Sequence, residues 1–180
     1  MGNCNLCERA IEMMPSLVGK NFESTRTMFV LHKPDRRVEE VLFRDNPDKI
    51  YEMALRASKT GSEVERLLEY CGMTMEDVLI TNLIKCTLRN DAKPTKQEYQ
   101  NCLRNLGFQI DAHKPRKIVG FGSAVYETLF PGKGKVSDSI GDVMEYRGVP
   151  TLVMMHPSRI WSFLDPLRKE REYEKVRRFL

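Results

Sequence analysis

The stretch Asp77-Val-Leu-Ile-Thr-Asn82 decides the reading of the fold: it is an apolar run of strand length that stops on a polar pair. Three other runs have the same shape. Thr27-Met-Phe-Val-Leu31 stops on His32-Lys33-Pro34-Asp35, where the proline disfavours helix at Lys33. Lys117-Ile-Val-Gly-Phe121 stops on Gly122-Ser123, and Thr151-Leu-Val-Met-Met155 stops on His156-Pro157-Ser158. Helical patterns lie between them. Residues 47–58 carry Ile50, Met53 and Leu55 on one side, and Val64, Leu67, Leu68 and Cys71 follow the i, i+3, i+4, i+7 spacing of one helical face, closed by Gly72. Thr95-Lys-Gln-Glu98 is a capping box opening a helix with Tyr99, Cys102, Leu103 and Leu106. Gly122-Ser123 opens another, and residues 167–180 read as a charged helix. Val143 to Tyr146, the Arg147-Gly148 turn and the run from Thr151 read as a hairpin. Residues 1–25 read as irregular to weakly helical, and Leu83 to Cys86 as a continuation of the run from Asp77. Strands that alternate with helices predict an α/β layer fold with a largely parallel sheet. Ligands bind such sheets at the carboxyl ends of the strands, so the four polar strand ends form the candidate site.

The 180 residues fit one domain, 1–180, with room for a core that needs no staples. At 41% apolar and 30% charged residues the chain is not of the disordered class. No apolar run reaches the roughly 18 residues of a membrane span, and the polar start lacks a signal peptide's apolar stretch. A cytoplasmic protein without membrane contact is therefore expected. Twenty-nine basic against 25 acidic residues leave +4, which permits nucleic acid without demanding it.

Five cysteines in a reducing compartment point to metal, redox or catalytic roles before disulfides. Cys4-x2-Cys7 is one pair; Cys86 and Cys102 lie downstream with fifteen residues between them. Four thiolates would hold zinc or an iron–sulfur cluster, though a zinc ribbon has two compact pairs. Spacing leaves ligands and buried structural cysteines equally open. Cys71, on an apolar helical face, reads as core.

Taken together, these motifs resemble the iron–sulfur (family 4-like) branch of the uracil-DNA glycosylases. Cys4-x2-Cys7, Ile80-Thr81-Asn82-Leu-Ile-Lys85-Cys86 and Cys102 match its cluster framework in kind, order and approximate spacing. Pro94-Thr95-x2-Glu98-x3-Cys102, Lys114-Pro115-x3-Val119-x2-Gly122, Glu145-Tyr-Arg-Gly-Val-Pro150 and His156-Pro157-Ser158 match further motifs, and the resemblance covers nearly the whole chain. It implies a three-layer α/β/α domain with a central, mostly parallel four-stranded sheet. It also implies a structural [4Fe–4S] cluster on Cys4, Cys7, Cys86 and Cys102, with zinc as the alternative. The implied partner is DNA, and a monomer is expected. The implied activity is excision of uracil or a modified pyrimidine from a flipped nucleotide.

The resemblance breaks at the first motif. The family reads approximately F-V-G-E-A-P-G where this chain has Phe29-Val-Leu-His-Lys-Pro-Asp35. A family segment G-R-P-F-V-G-x-x-G is replaced by Arg56-Ala-Ser-Lys-Thr-Gly61, with no Phe to stack on uracil. Both departures fall in the base pocket, so a bulkier base, or binding without excision, stands beside the uracil reading.

Excision needs donors aimed at the departing base and a placed water. Resemblance and chemistry together assign His156 as donor to the base, and His32 or Asp35 as water activator. Asn82 would read the base edge, with Thr81 and Lys33 beside it. Ser158 and the Gly122-Ser123 backbone would hold phosphates. Arg159, Ile160 and Trp161 would enter the duplex as a basic residue with two apolar wedges.

Overall fold

The computed structural model describes residues 4, 6–14, 16–34 and 50–180. In chain order the described elements are β1 (Ala10–Met13), β2 (Leu17–Val18), α1 (Phe22–Thr25), β3 (Thr27–Leu31), α2 (Ile50–Arg56), α3 (Lys59–Tyr70), β4 (Val78–Asn82), β5 (Cys86–Leu88), α4 (Lys96–His113), β6 (Lys117–Phe121), α5 (Ser123–Leu129), β7 (Val143–Tyr146), β8 (Val149–Met154), α6 (Pro157–Phe163) and α7 (Pro166–Phe179). Asp35 and the first three residues of the helix expected over 47–58 lie outside the described residues.

The main sheet has the order β2-β4-β3-β6-β8-β7. Its four inner strands are parallel, with Phe29 opposite both Ile80 and Val119, and Val119 opposite Leu152. The two edges are antiparallel: β2 on β4, and β7 folded back on β8. The sheet thus has six strands around the expected parallel four. Two residues of β2 are too few to show a strand period in sequence.

The inner strands read as unbroken apolar runs because both their faces are covered. Phe29, Leu31, Val78, Ile80, Val119, Phe121, Leu152 and Met154 pack under α2, α3, α6 and α7. The alternate residues Met28, Val30, Leu79, Ile118 and Val153 pack under α1, α4 and α5. This is a three-layer α/β/α arrangement.

A second, two-stranded sheet pairs β1 with β5, with Met13 opposite Cys86. The N-terminal segment, expected to be irregular to weakly helical, thus carries β1 and β2 ahead of the short α1, and the partner of β1 lies some seventy residues away, beyond the reach of local pattern. Leu83 and Ile84 do not prolong β4. Their N–H groups turn across to donate to the carbonyls of Leu31 and His32 at 2.7 and 2.9 Å. Among the described residues, no helix is long and apolar enough to cross a membrane.

Candidate nucleobase site and cysteine sector

The carboxyl edge of the parallel strands gathers His32 after β3, Asn82 at the end of β4, Gly122 after β6 and His156 after β8. Gly122 has φ of +88°, and a Cβ there would lie 3.0 Å from the His156 Cβ. The glycine lets β6 turn into α5 directly against the imidazole. Ser123 beyond it is exposed.

His156 is the N-cap of α6, with Pro157 at the first helical position. Its Nδ1 accepts from the Ser158 N–H at 3.3 Å and lies 2.9 Å from the Ser158 hydroxyl. A backbone N–H can only donate. Nδ1 is therefore the lone-pair nitrogen, and a neutral ring carries its proton on Nε2. Burial, and then the proximity of His32 and Arg159, lower the His156 pKa to about 4, so the ring is neutral at physiological pH. Ser158, expected on phosphate, fixes this tautomer.

His32 reaches a pKa of about 4 through burial and then Lys33. Its Nε2 lies 2.8 Å from the Tyr99 hydroxyl, and the two rings stack at 6.0 Å. Tyr99 escaped the sequence reading as a site residue. The available signal was its position three residues before Cys102, on the same face of α4.

Because both histidines are held neutral, acid works against the fold. Their unfolded pKa is near 6.5 and their folded pKa about 4, so between these values the unfolded chain binds more protons. Stability is unaffected above about pH 6.5 and falls as pH drops through the window. The loss is at most about 1.4 kcal/mol per pH unit for each histidine. Thermal melts from pH 7.5 to 4.5 should show this decline, and a His32→Gln, His156→Asn double variant should flatten it. An equally steep decline in the double variant would refute the assignment.

The structure moves several expected contacts. The Thr81 side chain turns away from the site. It donates to Gln109 Oε1 at 3.0 Å and accepts from Ser16 at 3.2 Å and from Lys85 Nζ at 2.8 Å. Asn82 is buried at the edge, and its carbonyl accepts from Lys85. Lys33 is paired with Asp91. Ile160 is 1% exposed and belongs to the core, so it is no wedge. The α6 phase that buries Ile160 leaves Phe163 out at 68% exposure, with the Arg159 guanidinium 5.2 Å from its ring. Trp161 is half-buried beneath two cations.

A second sector lies behind Asn82. Burial, then the neighbouring Cys102, Cys4 and Cys7, push the Cys86 thiol up to about 12. Burial leads for Cys102 as well, with Cys7 and Cys4 again in electrostatic reach. The four cysteines are thus neighbours, while Cys71 packs against the core under α3 and α7. Asn101 and Asn105 on α4 donate to the sulfurs of Cys7 and Cys4 at 3.5 and 3.7 Å. Arg9 donates to Glu98 at 3.0 Å, and the predicted Thr95–Glu98 capping box forms. Among the described residues, no three His, Cys, Asp or Glu side chains are arranged to share one metal ion.

Lys85 connects this sector to the edge. It is 3% exposed, and its Nζ donates to Thr81 Oγ1, to Gln109 Oε1 at 2.5 Å and to the Asn82 carbonyl. Three acceptors match the three N–H groups of an ammonium. None of them is a carboxylate; the acidic groups in electrostatic reach are Cys102 and Cys86. Burial lowers the Lys85 pKa to about 7, and the two thiols, which burial keeps protonated, would supply it a counter-charge only as metal-bound thiolates.

The neutral histidine thus stands at the carboxyl edge of a parallel sheet covered on both faces. The family model described as the Uracil DNA glycosylase superfamily matches residues 19–178, and the chain belongs to that superfamily. Within it, the chain is similar to Type-4 uracil-DNA glycosylases. One from Pyrobaculum aerophilum is 31% identical over 108 residues, 56% of this chain and 55% of the relative. One from Saccharolobus solfataricus is 32% identical over 131 residues, 67% of this chain and 60% of the relative. One from Archaeoglobus fulgidus is 24% identical over 162 residues, 84% of this chain and 81% of the relative. The chain thus spans 55% and 60% of the length of the first two relatives.

Proposed function

We propose that this chain is a DNA glycosylase that hydrolyses the N-glycosidic bond of uracil or a modified pyrimidine presented as a flipped nucleotide. The observation that carries the reading is the His156 tautomer: a neutral imidazole with Nε2–H, locked by Ser158 at the strand edge. Such a group donates to a pyrimidine oxygen as negative charge develops on the departing base, without having to lose a proton first. Asn82, with both a donor and an acceptor, would read the base edge.

His32 would place the attacking water. Its Nε2 is occupied by Tyr99, which leaves Nδ1 for the solvent molecule. With a pKa of about 4, its basicity equals that of an ordinary carboxylate. Burial thus brings His32 toward the proton affinity of the acidic residue that the resemblance places there. Asp35 remains a second candidate by its place in the sequence. Arg159 and Phe163 on α6, with the backbone of Gly122-Ser123, would meet the DNA around the flipped nucleotide.

Cys4, Cys7, Cys86 and Cys102 would hold a [4Fe–4S] cluster, whose part is to tie the N-terminal segment to β5 and α4. The donor set suits it: four cysteines together, amides donating to two sulfurs, and the buried Lys85 amino group beside them, which metal-bound thiolates would hold charged. Brown protein with iron and sulfide supports the cluster; zinc without sulfide overturns it. The protein is proposed to act as a cytoplasmic monomer.

The altered first motif favours a second reading, a member that binds DNA without cutting the bond. Incubation with DNA carrying uracil, hydroxymethylated or glucosylated pyrimidines separates the two. Abasic product on one of them supports the enzyme. Tight binding with no abasic product on any of them overturns it.

A further inference from the structure

We propose that Arg66, Trp161 and Lys169 form a site for a backbone phosphate of DNA, outside the base pocket; the proposal rests on the DNA-directed reading above. The three residues come from α3, α6 and α7 and meet on one indole ring. The Arg66 guanidinium carbon is 4.3 Å from the ring centroid of Trp161, and the Lys169 Nζ is 5.3 Å from it.

Several neighbouring cations are neutralised, although Lys59, Arg159 and Arg171, like Lys169, form no ion pair among the described residues. Arg56 pairs with Glu52 and Glu65, Arg168 with Asp165, Lys175 with Glu172, and Arg177 and Arg178 with Glu174. Among the described residues, Lys169 has no such carboxylate. The carboxylate nearest Arg66 is Glu63, and it lies beneath rather than opposite. Glu63 is 1% exposed and its Oε1 accepts from the Tyr173 hydroxyl at 2.6 Å. Its Oε2 has no hydrogen-bond partner and stands 4.0 Å from Arg66 Nη1. That distance steers the guanidinium without closing a hydrogen-bonded pair.

Two cations on one ring repel each other, and the attraction of each to the π face only partly offsets this. An anion that bridges them removes the repulsion. A guanidinium fork next to an ammonium suits the oxygens of a phosphodiester. Position argues for DNA over a free anion. Trp161 stands five residues after His156 on the helix that His156 caps, roughly 7 Å along its axis. That is about two nucleotide steps of duplex rise, a distance that a strand with one nucleotide at the His156 edge spans.

The test is the affinity of the full-length protein for a duplex with a stable tetrahydrofuran abasic analogue, measured across salt concentrations. An Arg66→Gln, Lys169→Gln variant should bind about tenfold more weakly at low salt. Its slope of log affinity against log salt should fall by about one. Trp161→Leu keeps both charges but removes the ring that holds them, and should show most of the affinity loss. The control is Lys114→Gln with Arg116→Gln, which makes the same charge change at the opposite edge of the sheet and should leave the slope unchanged. Equal effects of the two double variants, or an unaffected Trp161→Leu protein, overturn the site and leave the glycosylase reading intact. A wild-type protein that binds no DNA overturns both.

Discussion

Replacing His156 by asparagine is expected to slow base excision by about 10²–10³-fold while the protein stays folded. Asparagine is among the best N-cap residues, so α6 keeps its start, whereas alanine would also remove the cap and cost about 1 kcal/mol. Lost from the asparagine variant is the Nε2–H at the end of the longer imidazole. The predicted size is that of removing one aimed donor from a site where charge develops. Single-turnover excision on the preferred DNA, with a melting curve of the same preparation, measures both sides. A variant that melts normally and excises at the wild-type rate would refute the donor role.

The second large effect is expected in the cysteine sector. Cys86→Ser should yield protein without iron and sulfide, with a melting temperature lower by about 10 °C or more. Two contributions add. The N-terminal segment loses its anchor to β5, and Lys85, whose pKa burial already lowers to about 7, loses the counter-charge that metal-bound thiolates would give it and is driven toward its neutral form. The second contribution can be isolated. Lys85→Met in the Cys86→Ser background removes the stranded amino group and should recover part of the lost melting temperature. In the wild-type background the same change should lower it. If Lys85→Met has the same effect in both backgrounds, the lysine and the thiolates do not act on each other.

The four inner strands were legible in sequence because double coverage forces continuous apolar runs, as in Thr27 to Leu31. The strand-end residues were legible for the same reason: polarity begins where coverage stops. Beyond that point the linear pattern lost its hold. In Arg159-Ile-Trp161 a basic residue and two side chains of wedge character stand in a row, and only the start of α6 at Pro157 sets the phase that buries Ile160 and frees Phe163. Thr81 and Asn82 look like a pair, but consecutive strand residues face opposite ways, so Thr81 joins Gln109 in the interior. Lysine at position 85 reads as surface by composition alone. Its burial depends on Gln109 and the cysteines, contacts that only the folded chain brings together. The stacking of Tyr99 on His32 spans 67 residues and has no local sign.

In the proposed reaction the uncharged imidazole of His32 would alter the balance between affinity and turnover. An acidic residue at that place would repel the phosphates of an approaching strand and attract the cationic sugar that forms as the base departs. A neutral ring does neither, although it accepts a proton equally well. With His32 as the proposed water activator, both KM and kcat are expected to be lower than in a His32→Glu variant. The wild-type enzyme would then hold its substrate at lower concentration and turn it over more slowly, a profile suited to rare lesions met one at a time.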